Sequence, residues 1–162
     1  MKKFVTTLIA LSILASQVVA EVNELNVPAE VQVGAQACAA QFSGKRSVEQ
    51  SLSAKGFSKS SGSMVKAQKK KNFFAIAPEL SVRFKGGVCT IRLNPGTRQD
   101  LGMLLENGRA AMGKSGYNAV TANVDGKQSA AFSDGRAGVV LRARYSAKYG
   151  PENATLSIIE VE

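Results

Sequence analysis

The chain contains no histidine and no tryptophan, only two cysteines and four prolines, and just 6% aromatic residues. Each scarcity removes a class of function. Without histidine there is no Ser-His-Asp or Cys-His nucleophilic machinery, and the commonest zinc sites lose a preferred ligand. Without tryptophan and with few other rings, a stacking platform for sugars or nucleobases is poorly supplied. Acidic residues are also few, 12 Asp and Glu against 21 Lys and Arg. Several have local structural explanations: Asp100 and Glu49 sit at helix starts, and Asp125 and Asp134 in turns. No credible acid–base pair is left, so no enzymatic activity, cofactor or metal site is expected.

Long apolar runs are missing after residue 20, and the one before it is short. Met1-Lys2-Lys3 gives a positive start, Phe4 to Ala15 is almost wholly apolar, Ser16-Gln17 interrupts it, and Val18-Val19-Ala20 ends in small residues. This reads as a secretory signal peptide over residues 1–20, with cleavage before Glu21. A membrane span needs about 20 apolar residues, so a retained anchor fits less well. Position 21 is not cysteine, so a lipid-anchored form is not expected either. The expected destination is the periplasm or the medium. Cleavage of 20 of the 162 residues takes Lys2 and Lys3 with it, leaving 142 residues and lowering the formal charge from +9 to +7. That is the size of one ordinary domain with a real core.

What is present is an α+β pattern. Residues 21–28 read as an N-terminal arm and 29–162 as one disulfide-stapled domain. Val31, Ala35, Cys38 and Phe42 recur as one stripe of a first helix. Ser47-Val48-Glu49-Gln50 is a capping-box signature for a second helix, which ends at Lys55-Gly56. Met64–Gln68 and Phe73–Ala77 flank a Lys-Lys-Lys-Asn turn and suggest a hairpin. Alternation then marks strands at Leu80–Lys85 and Cys89–Leu93. Thr97–Asp100 opens a third helix with its stripe at Leu101, Leu104, Leu105, Gly108 and Met112, and four strand-like segments follow from Tyr117, two of the joins being Asp-Gly turns. The expected fold is about three helices packed on one face of an antiparallel sheet. Gly56-Phe57 and Gly116-Tyr117 follow helices in the two halves, so an αβββ–αβββ pseudo-repeat is one reading and coincidence the other.

Cys38 lies on the buried stripe of the first helix, and Cys89 shares a strand face with Ile91 and Leu93. Both point to one helix–sheet interface, and an oxidising compartment favours joining them as a structural disulfide. Two catalytic patterns match in letters only. Gly108-Arg109-Ala110-Ala111-Met112-Gly113-Lys114-Ser115 satisfies the phosphate-binding loop G-x-x-x-x-G-K-[ST], but that chemistry needs a strand before and a helix after, and here the order is reversed. Ser63-Met64-Val65-Lys66 with Lys114-Ser115-Gly116 mimics the motifs of penicillin-recognising enzymes, yet the serine does not begin a helix.

The positive charge is uneven. Lys45 to Arg92 holds eleven basic residues against Glu49 and Glu79. Lys66, Lys69, Lys70 and Lys71 gather at the expected hairpin tip. Arg83, Lys85, Arg92, Arg142 and Arg144 alternate with apolar residues, so they belong to the opposite strand face; that their strands are neighbours does not follow from spacing. The bland reading is a solvated, lysine-guarded surface. The functional reading is a site for an anionic envelope polymer, a lipid headgroup or an acidic protein, with nucleic acid disfavoured by compartment and by the shortage of rings. The rival expectation is a periplasmic inhibitor or immunity protein for a secreted toxin or hydrolase, by analogy of size and compartment.

Overall fold

The computed structural model describes residues 24–69, 77–124, 127–147 and 152–161. The expected signal peptide, residues 21–23 of the expected arm, and Lys70 and Lys71 therefore lie outside the described residues. Helix α1 (Val27–Phe42) begins inside the stretch expected as an arm, because Asn26 accepts a hydrogen bond from the Ala29 N–H (3.2 Å) and Pro28 occupies the first turn, where its missing N–H costs nothing. Val31, Ala35 and Cys38 are fully buried, and Phe42 packs edge-on against Phe84 with ring centroids 5.3 Å apart. Helix α2 (Val48–Ser53) carries both arms of the capping box: the Gln50 N–H donates to Ser47 Oγ and the Ser47 N–H to Gln50 Oε1. Helix α3 (Asp100–Lys114) opens with the Asp100 carboxylate folded back onto the N–H and hydroxyl of Thr97. The glycines that follow α2 and α3 play one role. Gly56 and Gly116 take positive φ, and the next aromatic N–H, of Phe57 or Tyr117, reaches back to the carbonyl of Leu52 or Met112.

Among the described residues, eight strands form one antiparallel sheet: β1 (Ser58–Ser60), β2 (Ser63–Ala67), β3 (Glu79–Lys85), β4 (Val88–Asn94), β5 (Asn118–Val124), β6 (Lys127–Ser133), β7 (Gly138–Ser146) and β8 (Asn153–Val161). Their spatial order is β1-β2-β3-β4-β8-β7-β6-β5. Each half of the chain is thus helical segment then four-stranded meander, one strand longer than the pseudo-repeat expected. The extra strand of the first half, β1, is a polar Ser-Lys-Ser with no alternation to betray it. The last strands of the two halves, β4 and β8, meet at the centre, so the strand order is palindromic. The expected hairpin partner of β2 is also replaced: Met64 pairs with Val82 and Lys66 with Leu80, so β2 lies against β3, while 73–76 fall outside the described residues and Ala77 is not in a strand.

One face of the sheet carries the core. Leu80, Val82, Cys89, Ile91, Leu93, Ala154, Leu156 and Ile158 are all buried beneath the helices. Helices α1 and α3 come close because each places a glycine on the sheet. A Cβ at Gly34 would stand 3.1 Å from Val82 Cγ2, and one at Gly108 would stand 2.7 Å from Leu156 Cδ2 and 2.9 Å from Leu141 Cδ2. Cys38 and Cys89 form the expected disulfide, with Cα atoms 5.9 Å apart, and it ties α1 to β4 across 51 residues of chain. Closing a loop of that length contributes about 4 kcal/mol in the chain-entropy model. Among the described residues, no helix is long and apolar enough to cross a membrane.

Candidate anion-binding face

The helices cover one side of the sheet, and strand register decides what the other side displays. Ser81, Arg92, Thr155 and Arg144 stand opposite one another in turn across β3, β4, β8 and β7. The next row is Arg83, Thr90, Ser157 and Arg142. Arg92 and Arg144 are two strands apart, about 10 Å between Cα atoms. Arg83 is a diagonal neighbour of Arg92 at roughly 7–8 Å. All four arginines are exposed, and the Ser and Thr residues between them are half-buried. The sheet therefore brings together the four arginines whose adjacency spacing alone left open. Lys85 is exposed one row on, where Val88, Ile159 and Val140 form an apolar border. Among the described strand residues, Glu79 is the one carboxylate whose register places it on this face.

Lys66 does not belong to the same assembly. Lys66 lies on the helix side of β2, opposite Leu80. Its Nζ donates to Glu30 Oε1 (2.6 Å) and to the Lys55 carbonyl (3.1 Å) and sits 5.4 Å from the centre of the Phe57 ring. With side chains only 12% and 15% exposed, Lys66 and Glu30 are a structural pair, and Lys66 leaves the candidate set. Lys69 is exposed just beyond β2.

At one end the arginine rows open into a groove of about 830 Å³ whose polar lining includes Arg92, Arg98, Arg144, Ser146, Thr155 and Ser157. Arg98 belongs to the connection between β4 and α3, which sequence reading assigned to helix capping. A glycine puts it here. Gly96 is buried against β8, its N–H donating to the Glu152 carbonyl (3.0 Å), and a Cβ at that position would collide with the Ala154 backbone nitrogen. The pinned connection lays the Arg98 guanidinium over the Tyr145 ring, 5.4 Å from its centre. The Tyr145 hydroxyl is hydrogen-bonded to Glu152, which, with lesser contributions from desolvation and the carboxylate charge, holds its pKa above the ordinary tyrosine value. A stacked guanidinium still presents its N–H edge outward, since its donors lie in its own plane.

The two letter-perfect motifs fall where their chemistry is absent. Gly108 to Lys114 is the second half of α3, with Gly108 buried against leucines and Lys114 Nζ donating to Gln32 Oε1 (2.8 Å). Ser63 and Lys66 lie on β2. Comparison with known proteins finds no matching family model, no similar curated protein and no similar solved structure. The face is accordingly read from its own chemistry.

Proposed function

We propose that this is an exported, non-enzymatic binding protein that engages a polyanionic envelope component through the open face of its sheet. The observation that carries the reading is the pair of adjacent cross-strand rows, Arg92 with Arg144 and Arg83 with Arg142, separated by serine and threonine hydroxyls. A surface that is merely solvated mixes both signs, whereas four guanidinium groups with Glu79 as the one carboxylate among the described strand residues of this face create a field that attracts anions. Among the described strands, register places no aromatic side chain within these two rows: Phe84 and Tyr145 fall on the helix side. Protein–protein interfaces concentrate their energy in buried aromatic anchors, so a polymer or an array of headgroups suits the face better than a folded acidic protein.

The test is retention on immobilised heparin and on vesicles containing phosphatidylglycerol. Binding at low ionic strength that weakens steeply with salt is expected, because exposed charges are screened within about 8 Å at physiological ionic strength. Replacing Arg83, Arg92, Arg142 and Arg144 together by glutamine should abolish it. Absence of retention at low salt would remove the proposal.

A further inference from the structure

Building on the polyanion reading of the face, we infer that the groove at its end is a site for a phosphate monoester. Three guanidinium groups reach it from three separate parts of the fold: Arg92 from β4, Arg144 from β7 and Arg98 from the β4–α3 connection. Ser146, Thr155 and Ser157 line it with hydroxyl groups. This donor set exceeds what a carboxylate uses. A carboxylate has two oxygens and one charge and is satisfied by a single guanidinium fork. A phosphodiester likewise offers one charge and two free oxygens. A phosphate monoester brings close to two negative charges and three strong acceptor oxygens, which suits three guanidinium groups arranged around hydroxyl donors.

The surroundings support the same assignment. Among the described residues no carboxylate lines the groove, and Glu152 beside it is engaged by the Tyr145 hydroxyl. The ring of Tyr145 carries Arg98, which orients the guanidinium; among the described residues it is the one ring lining the groove, and Arg98 covers it. The ligand is recognised by its phosphate, whether a phosphorylated sugar or a lipid headgroup carries it.

The missing histidine makes the inference testable by pH. No side chain of this protein has an ordinary pKa near 6, and Tyr145 is shifted still further from that range. The second ionisation of a phosphate monoester does fall near 6. Glucose 1-phosphate, inorganic phosphate, inorganic sulfate and glucuronate are titrated into the protein while the amide signals of Arg92, Arg144, Thr155 and Ser157 are followed by NMR. Saturable shifts with both phosphates are expected, with affinity for glucose 1-phosphate rising about tenfold from pH 5 to pH 7 as its dianion forms. Sulfate, which does not titrate there, should show no such rise, and glucuronate should bind much more weakly. Arg98→Gln and Arg144→Gln, both at exposed positions, should each weaken phosphate at least about tenfold, the loss of a charge-assisted hydrogen bond. Vesicles of phosphatidic acid separate the sources: binding there as well as in solution admits a lipid headgroup, and binding in solution alone assigns a soluble ester. Heparin retention without saturable phosphate binding would overturn this inference and leave the polyanion reading standing; loss of both would overturn both. Equal affinity for glucuronate, or a sulfate response with the same pH rise, would also overturn it.

Discussion

Gly102 and Gly108 lie on the same helix, yet alanine at each should act in opposite directions. A Cβ at Gly102 meets nothing within 4 Å, so Gly102→Ala should raise stability by up to about 1 kcal/mol through helix propensity alone. At Gly108 the new methyl would press on Leu156 and Leu141, inside ordinary contact distance. Overpacking typically costs 1–3 kcal/mol, so Gly108→Ala should be destabilising by roughly 1–2 kcal/mol after the propensity gain. Urea unfolding of the two variants checks both signs, and a stabilised Gly108→Ala would mean that α3 is not held this close to the sheet. The same residue shows what letters can and cannot say. Gly108 was legible as part of a helical stripe, and its place in a nucleotide-loop pattern dissolved on local context. That it is small because two leucines occupy the space beside it depends on strands 33 and 48 residues further on. Arg98 was missed for a similar reason, since the signal that places it is a close approach between Gly96 and Ala154, distant in sequence.

Elements are fixed by local and by distant chemistry in unequal measure. The α2 capping box, the helix-ending glycines and the alternation of β3, β4 and β7 were legible because each is written within a few residues. Strand neighbours were not, and β2 shows the consequence: the lysines around it looked like one charged tip until its register turned Lys66 toward the helices. The Lys66–Glu30 pair ties β2 to α1, with both side chains mostly buried. Glu30→Gln should therefore cost about 1–3 kcal/mol, the penalty of leaving a charged group short of its partner. Lys66→Gln should lower stability too while leaving heparin retention unchanged. Denaturant midpoints and column elution for the two variants read the outcomes separately, and a loss of retention in Lys66→Gln would return this lysine to the binding surface.

At the level of the whole molecule, the α+β class and the helix–sheet disulfide were legible from periodicity and from the faces the two cysteines occupy. The palindromic strand order was not, because slight similarity between the halves says nothing about where they join. The disulfide lies wholly within the first half, from α1 to β4. Replacing both cysteines by alanine should remove about 4 kcal/mol and lower the thermal midpoint by roughly 10 °C. An unchanged midpoint would show that the cysteines are not joined. The joining strand has a consequence of its own. β8 follows every other described strand in the chain, yet it occupies the middle of the sheet, paired with β4 on one side and β7 on the other. As the chain emerges from its N-terminus, β1–β4 and β5–β7 have no strand to join them until Asn153–Val161 arrives between β4 and β7. The arginine rows share that timing, because their middle positions, Thr155 and Ser157, are supplied by the closing strand. Neither row is complete, therefore, without the last described strand.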